Sequence, residues 1–540
     1  MSLVGELNRT KKRLQNLRRK SFSLQQHAVR EISKQLTFYL THPDELEKLK
    51  KLPGALRDKI LQVLMKKRCL DMQGQEMEFE NLKDIFPLLL SSKTHYIELN
   101  GILSFCPDWY QSKKFQKVTQ WCVVLLRQIA ILAPEVETLV IKRNNPLYIA
   151  GMCNYFNDGN FHQGMVQALM KMQRLNRLHV NLYYFQLTDL LKICKNLPRL
   201  QYLNVEFSSH RGKDKPAPEE ISSCFCNLKE LIFEFPFNDW LGSLCTRNLP
   251  NIEVVQYDPN KIMNWTHVRQ YGKRYHDVDF PGASNLRHIC VDLSRSCAAE
   301  LEAMPNYFPN VTCLMVTNNS CSSLATDVKP KFDNIRNLHL FISSGGEELF
   351  DNYLITYGQN LQSLYLGHDR ALTIDVEMIF KNCPILEKLS LQNVQLDWPL
   401  IEIKCFAELK ELEWEINCLD GFRDSESMVL CYILSSPNLE KVKLESKGFN
   451  QNDLRILHSL IREKRILNNL HTLHVYFNFQ MDVALANVLK SACAFLPKLT
   501  DFKFGNRCKF ADPLKACQTT PLSDVDAPVW EMIRVFENEN

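Results

Sequence analysis

Residues able to ligate a metal, attack a carbonyl or move a proton are plentiful in this 540-residue chain, so spacing decides whether they form a site. Nineteen cysteines and 14 histidines are present. A structural zinc site wants two to four residues between its paired thiolates. The nearest approach here is Cys224-x-Cys226, which is too tight. His471 and His474 form the one close histidine pair, and further ligands would be needed beside them. No GxxxxGK[ST] phosphate loop, GxGxxG turn, HExxH helix or GxSxG elbow occurs. The expectation is a chain that is not an enzyme and needs no cofactor and no metal.

What the spacing does offer is surface chemistry. Glu411-x-Glu413-x-Glu415 alternates carboxylates as a strand would present them, a comb suited to a basic segment. Asn260–Gly282 interleaves Trp265, Tyr271, Tyr275 and Phe280 with Arg269, Lys273 and Arg274. Such alternation serves single-stranded nucleic acid, and equally a loop packed on a rim; packing is preferred. Arg143–Met172 is a second long interruption.

The elements that must hold these residues announce themselves by repetition. A phrase of apolar, two variable, apolar, one variable, apolar recurs from VETLVI at Val136 to LTDFKF at Leu499, fourteen times, mostly 23–31 residues apart. THYIEL at Thr94 is a weaker first copy. Many copies follow a helix-like stretch ending in proline, as in LKICKNLPRL, IFKNCPIL and YILSSPNL. Proline stops the helix, the extended phrase turns alternate side chains inward, and each unit buries its apolar edge by stacking on the next.

These phrases resemble the leucine-rich-repeat superfamily, and the C/N-P-x-L junctions are most similar to the cysteine-containing subclass found in F-box leucine-rich-repeat proteins. The resemblance implies an α/β leucine-rich-repeat solenoid, a horseshoe of about 14–15 irregular repeats over residues 91–510. Irregular spacing and the lack of an asparagine ladder depart from the family pattern. On such a scaffold the third and fifth positions, with the residue after the last apolar one, face the concave side. They hold 10 acids and 6 bases across the fourteen units. A mixed surface of this kind argues against a phosphate backbone and suits a protein partner. Glu230, Glu234, His339, Phe341, Tyr365, Glu411, Glu413, Glu415, His474 and Tyr476 are the partner-binding candidates.

Ahead of the repeats, Leu52, Pro53, Leu56, Ile60 and Leu64 punctuate LPGALRDKILQVL with helical spacing. The phrase resembles the first helix of an F-box, and more loosely a BC box with Ile60 in place of the usual cysteine. The resemblance implies docking on a Skp-type adaptor or on elongin C, with a cullin, and therefore the substrate-recognition subunit of a ubiquitin ligase. A plain capping helix for the first repeat, and an interaction scaffold without ligase partners, are the competing readings.

Charge is uneven: residues 1–70 carry 17 Lys/Arg against 6 Asp/Glu, while the rest is mildly acidic. The expected organisation is a basic flexible arm at 1–20, a helical segment at 21–90, the repeats, and a C-terminal cap with an acidic tail at 511–540. The arm suits nuclear import or a solvated tail. No run of 18 apolar residues and no secretory h-region occurs, so a cytoplasmic or nuclear location and free thiols are expected.

Overall fold

A computed structural model describes residues 3–21, 24–66, 75–103, 105, 115–142, 161–207, 217–234, 245, 248–249, 251–256, 284–293, 298–318, 329–342, 347–397, 406–416, 429–446, 449–477, 483–506, 529, 531–532 and 535–536. They form two compact units: Phe22–Leu286, and Met1–Ser21 together with Arg287–Asn540. The aromatic-basic loop expected at Asn260–Gly282 lies outside the described residues, as does most of Arg143–Met172.

The unit of Phe22–Leu286 holds six parallel strands paired in chain order: β1 (Tyr96–Glu98), β2 (Thr138–Ile141), β3 (Arg177–Phe185), β4 (Tyr202–Phe207), β5 (Glu230–Glu234) and β6 (Val254–Gln256). The other unit holds nine, again parallel and sequential: β7 (His288–Asp292), β8 (Cys313–Asn318), β9 (Asn337–Ile342), β10 (Ser363–Asp375), β11 (Lys388–Asp397), β12 (Glu411–Ile416), β13 (Lys441–Ser446), β14 (Thr472–Phe477) and β15 (Asp501–Asn506). Every strand among the described residues starts at the third position of one of the fifteen phrases. The first apolar residue of the phrase is buried just before the strand, and the next two point to the core, as Leu361, Leu364 and Leu366 do.

One linkage repeats at each step. Two consecutive N–H groups at a strand's start donate to a single carbonyl of the preceding repeat. Thr312 and Cys313 use Arg287, Arg336 and Asn337 use Thr312, and the series runs on to Thr500 and Asp501 on His471. The six-stranded sheet does the same from Glu137 and Thr138 on His95 to Glu253 and Val254 on Lys229. A carbonyl has two lone pairs, so one acceptor satisfies both donors. Asparagines add to it in the turns: Asn251, Asn438 and Asn469 donate to Cys226 O, Ala407 O and Pro437 O at 3.2, 2.7 and 3.0 Å.

Helices return the chain between strands. Leu187–Asn196 buries Leu190, Leu191, Ile193 and Cys194 and ends before Pro198. In MPNYFPNV the second proline ends the helix; the first, Pro305, lies inside Ala298–Tyr307. Eight of the ten cysteines among the described residues are buried, and none of the ten is in a disulfide. Burial drives such thiols away from ionisation; Cys383 is pushed up to about 12.

The basic N-terminus, read from its charge as an arm, is a helix over Leu3–Ser21 seated on its own unit's C-terminal end. Leu14 and Thr10 are buried there. Thr10 Oγ1 donates to Cys493 O at 3.3 Å, Arg9 lies over the Phe495 ring, and Arg13 lies over the Phe536 ring. Residues 529–536 contribute Val529, Met532, Val535 and Phe536 to the same core.

The helical segment before β1 comprises Leu24–Lys34, Leu36–Thr41, Pro43–Lys50, Gly54–Lys66 and Gln75–Leu89. Gly54–Lys66 lies along the edge strand β1. Gln62 Nε2 donates to Tyr96 O at 3.3 Å, and Met65 Sδ accepts from Glu98 N–H at 3.0 Å. An edge strand left bare invites pairing with another chain, and this helix supplies part of its cover.

Candidate functional site

In-register parallel pairing lines up equivalent positions of successive repeats. On the nine-stranded sheet they fall into three rows. The first runs His288, Cys313, Asn337, Ser363, Lys388, Glu411, Lys441, Thr472, Asp501. The second runs Cys290, Met315, His339, Tyr365, Ser390, Glu413, Lys443, His474, Lys503. The third includes Phe341, Gly367, Gln392, Glu415, Glu445 and Tyr476. Alternation within each strand sets these against the core: in β12, Leu412, Trp414 and Ile416 are buried while the three glutamates between them are half-buried.

The sequence candidates on this sheet therefore do share one face, but its two ends differ. Around β9 and β10 the face is closed. Phe341 and Tyr365 are 6% and 4% exposed. The His339 and Tyr365 rings stack at 5.6 Å, and the Tyr365 hydroxyl donates to Gln392 Oε1. Gly367 makes the layer possible, because a Cβ there would stand 2.6 Å from Phe341 Cδ2 and 2.8 Å from Tyr365 Oη. Burial first, then the charges of His288 and Lys388, pull His339 down to about 4.

From β11 to β15 the face is charged and internally paired. Lys441 Nζ stands 2.8 Å from Glu411 Oε1, with Lys388 Nζ at 3.7 Å on the other carboxylate oxygen. Lys443 pairs with Glu413. Burial pushes the Glu411 carboxyl up, but the Lys441 hydrogen bond and both lysine charges outweigh it and leave it below the usual range. The glutamate comb is thus answered by this chain's own lysines at Glu411 and Glu413. His474 Nε2 lies 2.9 Å from Asp501 Oδ2, and that hydrogen bond holds the Asp501 carboxyl below its ordinary value against the effect of burial. His474 is hydrogen-bonded to Asp501; among the described residues no three His, Cys, Asp or Glu side chains are arranged to hold a metal.

On the six-stranded sheet, Glu230 is half-buried beside Tyr202, and Glu234 pairs in register with Glu206. Arg177, next in the row after Thr138, lies over the Tyr202 ring at 4.4 Å from its centroid. That pair was not among the sequence candidates, although both residues occupy the third position of consecutive phrases.

The five residues with F-box-like spacing are divided. Ile60 and Leu64 are fully buried, Leu52 and Leu56 are half-buried, and Pro53 is exposed. Arg57 Nη1 donates to Leu88 O at 3.0 Å and fastens the helix to the segment that leads into β1.

No family model matches the chain, and no curated protein matches it. A crystal structure of PEPR1–AtPEP1 is similar over 68% of this chain, at 11% identity and a TM-score of 0.21. The match takes in 48% of that chain, about half its length, and a TM-score this low carries no argument. Among the described residues no helix is long and apolar enough to cross a membrane. The chain is mixed α/β, with sequential parallel strands and a repeat-like architecture.

Proposed function

We propose that this chain is a non-catalytic, protein-binding leucine-rich-repeat protein that recognises its partner on the register rows of its two sheets. The observation that carries the reading is the continuous array of polar, charged and aromatic side chains in step from β7 to β15. Rigid strands hold such an array without further ordering on binding, which favours affinity. A photo-crosslinking residue placed at Thr472 tests it against one placed at Arg455, on the exposed side of the Gln451–Arg462 helix. Discrete protein adducts from position 472 alone support the reading; equal or absent adducts at both positions refute it.

A second reading, the substrate receptor of a cullin-type ubiquitin ligase, draws on the F-box-like phrase and on the cluster of helices ahead of β1. Its docking surface would be Leu52, Pro53 and Leu56, the members of the set with exposed area. The edge cover that Gln62 and Met65 give β1 supports the capping role for the same helix, and a helix can do both. Copurification of Skp adaptor, elongin C and cullins with the intact chain and with a folded Leu56→Glu variant tests it. An adaptor lost in the variant supports docking, and no adaptor with either chain leaves the helix a cap.

A further inference from the structure

The helix Leu3–Ser21 carries seven Lys/Arg against one glutamate. One of these cations, Arg13, turns inward to the carbonyls of Leu499 and Cys493. Arg9, one turn earlier, is exposed, and its guanidinium lies 4.8 Å from the centroid of the Phe495 ring. A second guanidinium shares that ring. Arg462, exposed in the last turn of Gln451–Arg462, lies 6.0 Å from the same centroid. The two guanidinium carbons are therefore within about 11 Å of each other. Lys12 is exposed three residues on from Arg9, on the same flank of the helix.

Charges elsewhere in this unit are mostly answered from within the chain: Glu411 by Lys441, Glu413 by Lys443, Asp501 by His474. Here they are not. Among the described residues no carboxylate forms an ion pair with Arg9, Lys12 or Arg462. Glu463, next to Arg462, pairs with Arg465 and accepts from the Ser459 hydroxyl instead. Glu6, the one acid of the first helix, is half-buried. Cations gathered without a counter-charge repel one another, and an anion that neutralises them relieves that repulsion.

The surroundings favour one class of anion. Among the described side chains of the first helix, the exposed ones after Val4 are all Asn, Gln, Lys or Arg. Protein interfaces are poor in lysine and built on aromatic or apolar anchors. The aromatic at this centre, Phe495, is already occupied by two guanidinia. Phosphate oxygens, by contrast, are held by Arg, Lys, Asn and Gln side chains together. A guanidinium resting on a ring keeps its N–H edge for a phosphate, and the ring contact limits its freedom before binding.

We propose that Arg9, Lys12 and Arg462, gathered about Phe495, hold the phosphate backbone of a single-stranded nucleic acid. A strip this short serves one backbone rather than both strands of a duplex, and contact through phosphates makes it indifferent to base sequence. It is a second surface, on helices and not on the register rows, whose mixed charge argues against a backbone there.

The probe is fluorescein-labelled oligo(U), with oligo(A), duplex DNA of equal length, polyglutamate and phosphatidylserine vesicles as competitors. Polarisation is measured on the full chain from about 50 to about 200 mM salt. An Arg9→Gln, Arg462→Gln variant with unchanged circular dichroism should bind about tenfold more weakly or worse. It should also lose about 1.4 from the slope of log affinity against log salt, about 0.7 for each phosphate contact. Lys12→Glu changes an exposed side chain that makes no hydrogen bond or ion pair among the described residues, so its loss of binding cannot be laid to misfolding. A Lys441→Gln, Lys443→Gln variant should bind as the parent does, and oligo(A) should compete as well as oligo(U). No binding at the lowest salt, or affinity unchanged in Lys12→Glu and in the double variant, overturns the proposal. Polyglutamate or vesicles competing as well as oligo(U) overturns the nucleic-acid assignment, and duplex DNA competing as well overturns the single-strand one. Crosslinking at Thr472 reads the sheet face alone, so the failure of this strip leaves the protein-binding reading standing.

Discussion

Arg13 and Leu499, 486 positions apart, are joined by a hydrogen bond of 2.8 Å from the Arg13 guanidinium to the Leu499 carbonyl. The same guanidinium donates to Cys493 O at 3.0 Å, in the last turn of the Val483–Phe495 helix, where carbonyls without an intrahelical partner welcome a cation. Burial pulls Arg13 down to about 10, so it stays charged at physiological pH. Arg13→Ala leaves those carbonyls without this donor, at a cost of about 2–3 kcal/mol. The check is a lower urea midpoint for the unit containing β7–β15, with Lys11→Ala, an exposed residue of the same helix, as the near-silent control.

His339 gives that unit a dependence on acid. Its folded value is depressed to about 4, against an unfolded value of about 6.5. Between these values the unfolded chain binds a proton that the folded chain refuses, so stability rises with pH there and is lost as pH falls from about 6.5 to 4. The size is on the order of 3 kcal/mol. Urea midpoints measured from pH 7 to pH 4 should fall less steeply in His339→Gln than in the parent chain.

Gly367→Ala should disorder the closed end of the face. The new methyl meets two rigid rings, Phe341 and Tyr365, and no flexible chain end that could give way. Overpacking of this kind costs about 1–3 kcal/mol. The measurement is the thermal midpoint with near-ultraviolet dichroism, and the cost should shrink in a Phe341→Leu background.

Asp453 caps a helix that is not its own. Its two carboxylate oxygens each accept a 2.9 Å hydrogen bond, from Leu430 N–H and Cys431 N–H, at the start of the Val429–Leu434 helix of the preceding repeat. Asp453→Ala removes both acceptors from a buried site and should cost about 2 kcal/mol or more. Hydrogen exchange at Leu430 and Cys431 should accelerate, while the exchange of β7–β9 should stay as it was.

Much of this was legible in the phrases, because a parallel sheet built from stacked repeats has the same period as its sequence. Among the described residues, all fifteen strands open at the third position of a phrase. Phrase positions also fall into the register rows, yet their pairing was missed by reading along one strand at a time. Glu413 and Lys443 are both fifth positions of consecutive phrases, so comparing phrase with phrase places the base beside the acid. The same comparison places Arg177 beside Tyr202. Two features stay hidden from any such reading. Ile60 and Leu64 are buried by helices whose packing no periodicity states, and Arg13 finds its carbonyls at the far end of the chain.

That last separation has a consequence for biosynthesis. The helix Leu3–Ser21 is made well ahead of its seat at Val483–Phe495, which follows hundreds of residues later. At roughly 5–20 residues per second the wait lasts on the order of half a minute to more than a minute. Throughout it, Leu14 lacks the residues that bury it, while the whole of Phe22–Leu286 has already been made. A chain released before Val483–Phe495 is made therefore leaves the Leu3–Ser21 helix without the seat it packs on.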